Sequence, residues 1–246
     1  MPSVEWNRRT WDQEHVWSAA GDEWNGMAAH CAQPYEAWKQ ALLETFLVPY
    51  VTTATSALEV APGYGRWTQH LVERAGWVTM VDLSPSCIEA CRRRFGDGPG
   101  LTYVVNNGTS LPGVEDASVH FVWSFDSFVH MDLPIVRAYV EEFARVLRPG
   151  GHVVLHHAGK RGAPRAVSAV TAHLGRPGRV AHRLITQRRL HDSGRRADVT
   201  ARDVAGLLRD NGLDLVRQTS TWGAEGQYTV EKYRDVITVA VRAGRR

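Results

Sequence analysis

The stretch Ala57 to Gly65, ALEVAPGYG, joins a short apolar run to a glycine-punctuated turn, and a helical pattern follows from about Arg66 to Ala75. A strand that feeds a tight turn and then a helix can pack back onto a neighbouring strand in few ways, so this segment points to an open α/β sheet. Gly63 and Gly65 let the backbone bend and approach a ligand with no Cβ in the way, and the helix start offers unpaired N–H groups at the same place. The next strand, within VTMVDLS from Val78 to Ser84, carries Asp82 at its tip, 17 positions beyond Gly65, where a carboxylate can accept both ribose hydroxyls. A glycine pair alone also suits a plain tight turn. The acidic residue one strand later favours an adenosine-containing cofactor. Pro62 and Tyr64 interrupt the glycines and the run of three that cradles a pyrophosphate is absent, which argues against NAD or FAD.

The same rhythm continues along the chain. Pro85 suits the first turn of a helix over Ser86 to Phe95, with Ser84 as its N-cap. The third strand, LTYVV from Leu101 to Val105, runs into NNGTSLP. There Asn107 and Thr109 can bond an adenine edge or a ribose and Gly108 leaves room beside it, although a polar turn accounts for the same residues. The fourth, VHFVWS from Val119 to Ser124, is a nearly continuous apolar run suited to a strand buried on both faces. It delivers Ser124, Phe125, Asp126, Ser127, His130 and Asp132 to a turn before the helix Leu133 to Leu147. Arg148 to Gly151 then turn the chain into the fifth strand, HVVLHH, His152 to His157. Later, Thr200 and Asp203 mark the start of a helix to Asn211, followed by strands over Leu213 to Ser220 and Val236 to Val241. The expected fold is a Rossmann-like sheet of seven strands, mostly parallel with the last antiparallel, on one domain spanning residues 1–246.

Two segments fall outside this rhythm. Residues 1–50 hold five of the nine tryptophans and read as a cap of short helices laid over the carboxyl edge of the sheet, with Trp17 and Trp24 the candidates to face a ligand. Residues 160–199 read as a basic cap insertion after strand 5. Lys160 to Arg196 contains ten basic residues against one acidic, Asp192, although the whole chain is only +3. That stretch suits a solvated face, a lid for an anionic acceptor through Arg183, Arg188 and Arg189, or a nucleic-acid footprint. The net negative remainder of the chain and the lack of known RNA-binding modules argue against nucleic acid. Cys31, Cys87 and Cys91 have no spacing suited to zinc or a disulfide framework and read as packing residues in a reducing compartment. No stretch approaches 18 apolar residues and no basic flank precedes an apolar run, so the expected setting is cytoplasmic, with no membrane partner. Oligomeric state is open, a homodimer included.

LEVAPGYGRW, VDLS, NNGTSL, FVWSFDSFVHM and VLRPGGHVVLHH together resemble the successive motifs of a class I S-adenosylmethionine-dependent methyltransferase, over roughly Ala57 to Val241. The resemblance implies S-adenosyl-L-methionine as cofactor and S-adenosyl-L-homocysteine as product. It implies cofactor contacts from Glu59, Ala61, Gly63, Gly65, Trp67, Asp82, Leu83, Asn107, Gly108, Thr109, Ser124, Phe125 and, from the cap, Trp17. Family members commonly carry an aspartate in the adenine-side loop, where this chain has Asn107. SFDSFVH and LHHAG after a tryptophan-rich start are further similar to enzymes that tailor bacterial natural products, antibiotics included. That likeness implies a hydroxyl on a sugar-bearing small molecule as acceptor, with an amine as the alternative; Trp24, Arg183, Arg188 and Tyr228 are the residues expected to contact it.

Methyl transfer to a hydroxyl needs alignment, exclusion of water and a base for one proton. His130, just past the fourth strand tip, is the first candidate, because an imidazole titrates in the useful range. His157 and His156 follow at the neighbouring strand tip, where alternation lets only one face a cleft. Asp126 could orient a histidine or touch the amino group of the cofactor. A metal held by Asp126, Asp132 and His130 is conceivable, but aspartates before helices are commonly caps, and no catalytic metal is expected. A fold of this kind kept for nucleic-acid binding or RNA modification is the reading of a different class.

Overall fold

The computed structural model describes residues 3–19, 21–22, 34–159, 177, 180 and 196–244. Trp24, Cys31, Arg183, Arg188, Arg189 and nearly all of the basic segment therefore lie outside the described residues. Seven strands form one sheet: β1 (Ser56–Val60), β2 (Trp77–Asp82), β3 (Leu101–Val105), β4 (Val119–Phe128), β5 (Leu147–Ala158), β6 (Leu213–Thr219) and β9 (Asp235–Arg242), in the order β3-β2-β1-β4-β5-β9-β6. The first five are parallel, and β9 enters between β5 and β6, antiparallel to both. A short hairpin of β7 (Thr221–Trp222) and β8 (Tyr228–Thr229) stands apart.

Helices cover both faces because the strands alternate two apolar sets. On one face Leu58, Val60, Val122, Val153 and Leu155 pack under α5 (Leu133–Val146) and α6 (Ala201–Asp210). On the other, Ala57, Phe121, Trp123, Phe125 and Val154 meet α2 (Tyr35–Phe46), the short α3 (Thr68–Val72) and α4 (Pro85–Phe95). Cys87 and Cys91 are buried on the inner side of α4. Two helix starts follow the expected chemistry: the Ser84 hydroxyl accepts from the Cys87 N–H, and Thr200 and Asp203 form a reciprocal capping box.

Three local expectations change. The turn after β1 continues through Trp67, so α3 is a single turn and a half rather than a helix from Arg66. β4 runs on to Phe128, past the expected end at Ser124, with a register shift between Ser124 and Phe128. The Arg-Pro-Gly-Gly run does not separate helix from strand. Leu147 already pairs with Val119 and the next pair is Phe121 with His152, so the run is absorbed as an irregularity inside β5.

The N-terminal segment forms α1 (Val4–Arg8), a π-helical turn over Arg9–Glu14, and an extended piece to residue 19. It lies across the carboxyl ends of β1, β2 and β4 as a strap, whereas Trp38 on α2 is fully buried in the core beside Trp222. Among the described residues no helix is long and apolar enough to cross a membrane.

Candidate functional site

The strand order reverses between β1 and β4, and an open α/β sheet leaves a crevice outside the strand ends at such a point. Here a cavity encloses about 870 Å³ of empty space, part of it open to solvent. Ala61, Gly63, Trp67, Asp82, Leu83, Gly108, Phe125, Asp126, His130 and Trp17 all line it, as do Arg66, Ser127, Tyr139 and the strap residues Val4, Asn7 and Trp11.

The floor is set by backbone at the strand tips. Ala61 after β1 and Asp126 in β4 both adopt left-handed conformations, φ 58° and 68°, which L-residues adopt at a cost and which surrounding structure must enforce. Gly63, at φ 57°, takes the same conformation freely, and a Cβ there would come within 2.7 Å of the Trp17 ring. Asp82, at the end of β2, accepts the Gly63 N–H (3.3 Å) and the Ser84 N–H (2.9 Å). Burial pushes its carboxyl up to about 6, against the opposing pull of those donors.

The strap closes the cavity from above. Trp17 stacks on Tyr64, with rings 7° apart and centroids at 5.1 Å, and donates its indole N–H to the Trp11 carbonyl. Val4 sits where a Cβ on Gly108 would fall. The Asn7 side chain donates to the His130 carbonyl at 2.8 Å and accepts from the Trp11 indole. Asp12 accepts from the hydroxyls of Ser84 (2.5 Å) and Ser86 (2.8 Å) at the start of α4, and these bonds hold its carboxyl below the usual range. The His130 ring is buried next to Trp11 and Trp6, with centroids at 5.1 and 6.3 Å.

Charged groups gather along the wall below Phe125. Arg66, 3% exposed, directs Nη1 to Asp126 (2.9 Å) and Nε toward Asp22 (3.3 Å), and its guanidinium lies over the Trp67 ring. Its Nη2 is buried with no hydrogen-bond partner among the described residues. Asp22 also receives Lys39 at 3.0 Å and the Tyr35 hydroxyl. Burial works against charge on Asp126, but Arg66 and His156 outweigh it and hold the carboxyl well below its ordinary range.

Several expected site residues stand elsewhere. Glu59 is buried behind the glycine turn and accepts the Thr68 hydroxyl at 2.6 Å; burial pushes it up to about 8. Gly65 faces Phe95 rather than the cavity. Asn107 spends its side-chain oxygen on the N–H groups and hydroxyls of Thr109 and Ser110, so both Asn107 and Thr109 close an exposed turn. Its neighbour Asn106 is the buried one, bonded to Tyr139 and to the Gly108 N–H. Ser124 is fully buried and donates to the Val60 carbonyl. Tyr228 stacks on Trp222 in the hairpin and is not among the residues lining the cavity. His156 and His157 are both completely buried on opposite faces of β5, and neither lines the cavity. His157 bridges the Ala158 carbonyl and the Thr238 hydroxyl, and burial pushes its imidazole down to about 4. His156 contacts Asp126 and Asp235. Of the three histidines expected at the strand tips, only His130 is among the residues lining the cavity. Among the described residues no group of three His, Cys, Asp or Glu side chains could hold a metal ion.

Sequence reasoning did not pick out Arg66, Asn7, Asp12 or Asn106. Arg66 carried a signal, since it directly follows Gly65 in the motif. Asn106 lay one residue from the position chosen. For Asn7 and Asp12 no local pattern exists, because their partners are 123 and 72 residues away.

Comparison with known proteins bears on the fold. Residues 57–151 match the family described as "Methyltransferase domain". The chain is similar to the "Probable phthiotriol/phenolphthiotriol dimycocerosates methyltransferase 2" of Mycobacterium ulcerans, 35% identical over 113 residues, which span 42% of each protein. The ubiquinone biosynthesis O-methyltransferase of Xanthomonas oryzae pv. oryzae is 26% identical over 172 residues, 66% of this chain and 70% of that one. Among solved structures, the geranyl diphosphate C-methyltransferase of Streptomyces coelicolor A3(2) superposes with a TM-score of 0.62 at 16% identity, covering 99% of both chains. The chain thus spans about two fifths of the first of these relatives and nearly all of the solved one. Its sheet order, its cavity at the β1/β4 reversal and the match over residues 57–151 give this chain the fold of the class I S-adenosylmethionine-dependent methyltransferases.

Proposed function

We propose that this chain is an S-adenosylmethionine-dependent methyltransferase acting on a small molecule, and that the acceptor atom is a hydroxyl oxygen. The observation that carries the reading is the cavity itself. One end has the buried Asp82 carboxylate beside the Gly63 N–H, and another has Arg66, whose buried Nη2 has no hydrogen-bond partner among the described residues, next to the Asp126 carboxylate. A ribose diol fits the first, and a group with both a carboxylate and an ammonium fits the second. S-Adenosylmethionine has both features on one molecule.

When bound, that cofactor supplies a methyl group activated on a sulfonium. Asp82 accepts the ribose hydroxyls, Arg66 and Asp126 hold the amino-acid end, and Trp17, Val4 and Trp11 keep water out from above. Ala61, Leu83, Gly108, Trp67 and Phe125 contribute shape. His130 takes the proton from the acceptor hydroxyl as it attacks. Its place in the cavity, with His156 and His157 outside, favours the hydroxyl over an amine, which loses its proton before attack. Relatives named as a phthiotriol/phenolphthiotriol dimycocerosates methyltransferase and a ubiquinone biosynthesis O-methyltransferase fit a small acceptor, while others are named as a phosphoethanolamine N-methyltransferase and a geranyl diphosphate C-methyltransferase. The finer reading remains a sugar hydroxyl on a bacterial natural product, contacted by Trp24, Arg183 and Arg188.

Calorimetry with S-adenosylhomocysteine tests the cofactor assignment. Asp82→Ala is expected to weaken binding strongly, and equal affinity in the two proteins would overturn it. For the acceptor, transfer from labelled cofactor to glycosylated natural products is expected to fall by about 10²–10⁴ in His130→Ala at neutral pH. Full activity in that variant would move the base elsewhere.

A further inference from the structure

Asp126 presents two different groups to one nitrogen. Its left-handed backbone brings its own N–H to 3.2 Å from His156 Nδ1, while its carboxylate Oδ1 lies 3.1 Å from that same atom. Nδ1 cannot serve both. Without a proton it accepts from the Asp126 N–H, and with one it donates to the carboxylate. The other carboxylate oxygen is taken by Arg66 Nη1 at 2.9 Å. On the far side, His156 Nε2 is 3.5 Å from Asp235 Oδ2, and Asp235 in turn receives Arg196 through Nη2 at 2.8 Å and Nε at 3.2 Å. His156 and Asp235 are fully buried, and the imidazole lies flat against the Phe125 ring, centroids 4.3 Å apart.

We propose that His156 is a positioning residue: held as an imidazolium between Asp126 and Asp235, it aims the Asp126 carboxylate at the ammonium group of the bound cofactor's amino-acid end. This rests on the cofactor reading above and adds to it a chain of alternating charge, Arg66, Asp126, His156, Asp235 and Arg196, reaching from the cavity wall across β5 to β9. Burial opposes a charge on His156, but the two carboxylates outweigh it and raise the imidazole above its ordinary value. The groups facing it are Asp126 and the Phe125 ring on β4, Asp235 on β9, and Arg196 behind Asp235. The neighbouring His157 is itself pushed down by burial, with a smaller contribution from the charge on His156. A stacked aromatic face also favours the cationic form. The ligand end in question is a zwitterion, so an added positive charge attracts its carboxylate and repels its ammonium by comparable amounts. What His156 changes is the aim of Asp126.

The alternative is a buried ladder that only ties β5 to β9. Two ligands separate the readings. S-Adenosylhomocysteine has the amino-acid end, and 5′-methylthioadenosine has the same adenosine without it. Calorimetric titration of the full chain is expected to show a clear preference for the former. In His156→Asn that preference drops about tenfold, with methylthioadenosine affinity unchanged, in keeping with the loss of one hydrogen bond to a charged group. Asp126→Asn alone lowers it more than His156→Asn does, and adding His156→Asn to that variant lowers it little further, because the imidazole acts only through that carboxylate. In the unaltered protein the preference declines as pH rises through the His156 titration, and in His156→Asn it is flat. Should His156→Asn fold poorly, Asp235→Asn keeps the imidazole but removes one supporting charge, and the decline moves to lower pH. Equal weakening of both ligands, or full preference retained in His156→Asn, would overturn the proposal while leaving the cofactor reading intact. Failure of the unaltered protein to bind S-adenosylhomocysteine would remove both.

Discussion

Replacing Gly63 by alanine separates two costs that the structure places at one atom. The first is conformational: at φ 57° a side chain crowds its own carbonyl, worth about 1–2 kcal/mol. The second is steric, since the new Cβ would stand 2.7 Å from two carbons of the Trp17 ring, well inside the 3.4 Å at which ordinary contact begins. Trp17 cannot simply swing away. It is stacked on Tyr64 and bonded to the Trp11 carbonyl, so the outer strap must shift with it, a strain of about 1–3 kcal/mol by the usual cost of overpacking. The conformational part alone corresponds to a Tm lower by about 2–8 °C in a chain of this size. A double-mutant cycle with Trp17→Ala resolves the two. In the Trp17→Ala background only the conformational part remains, so denaturant unfolding should give a coupling of about 1–3 kcal/mol between the sites. S-Adenosylhomocysteine affinity should fall in Gly63→Ala and recover in part in the double variant, which lacks the clash. Stability effects that add within about 0.5 kcal/mol would refute the contact between strap and glycine turn.

Further outcomes follow from burial and charge. Asp82 titrates near 6 in the folded chain and its ionised form is the one that accepts ribose hydroxyls, so S-adenosylhomocysteine affinity should drop about tenfold from pH 7 to pH 5. Asp82→Asn should show no such step, and an identical step in that variant would exclude Asp82 as its source. Glu59, raised to about 8, contributes stability that is present below its unfolded value and is lost as pH rises through 8. Glu59→Gln should remove that decline, which runs from the unfolded value of 4.5 up to about pH 8, in melting experiments; a decline of unchanged size would place its origin in another group. Trp123, fully buried between the rings of Trp67 and Phe125, should cost about 3–5 kcal/mol on truncation to alanine, read by urea unfolding.

The parts of the fold that could be read in advance are those where local pattern and tertiary role coincide. The apolar run Ala57 to Val60, the glycines after it and Asp82 at the next strand tip are all short-range features of a parallel sheet, and they appear as expected. The same is true of Ser84, Thr200 and Asp203 at helix starts. Spacing did not reveal which face of β5 each histidine occupies, because β5 is buried on both faces and its sequence shows no polar alternation. Nor did it reveal the choice between Asn106 and Asn107. Either side chain can close a turn, and the decision comes from Tyr139, which lies on a helix 33 residues later. The hydrogen bonds of Asn7 and Asp12 to the rim depend on the path of the strap, which no local periodicity encodes.

The place of β9 also governs the order in which the protein can be assembled. Among the described residues β6 pairs with β9 and with no other strand, so after Leu213–Thr219 has left the ribosome it has no such edge to join until Asp235–Arg242 slides in against β5. A chain halted before that point would hold the β1/β4 crevice and the glycine turn, yet leave β5 as an open edge prone to pairing with other molecules. Asp235 is the first residue of that late-arriving strand. His156 therefore acquires its second carboxylate only when the sheet closes, and the wall of the cavity is tuned by the last strand to arrive.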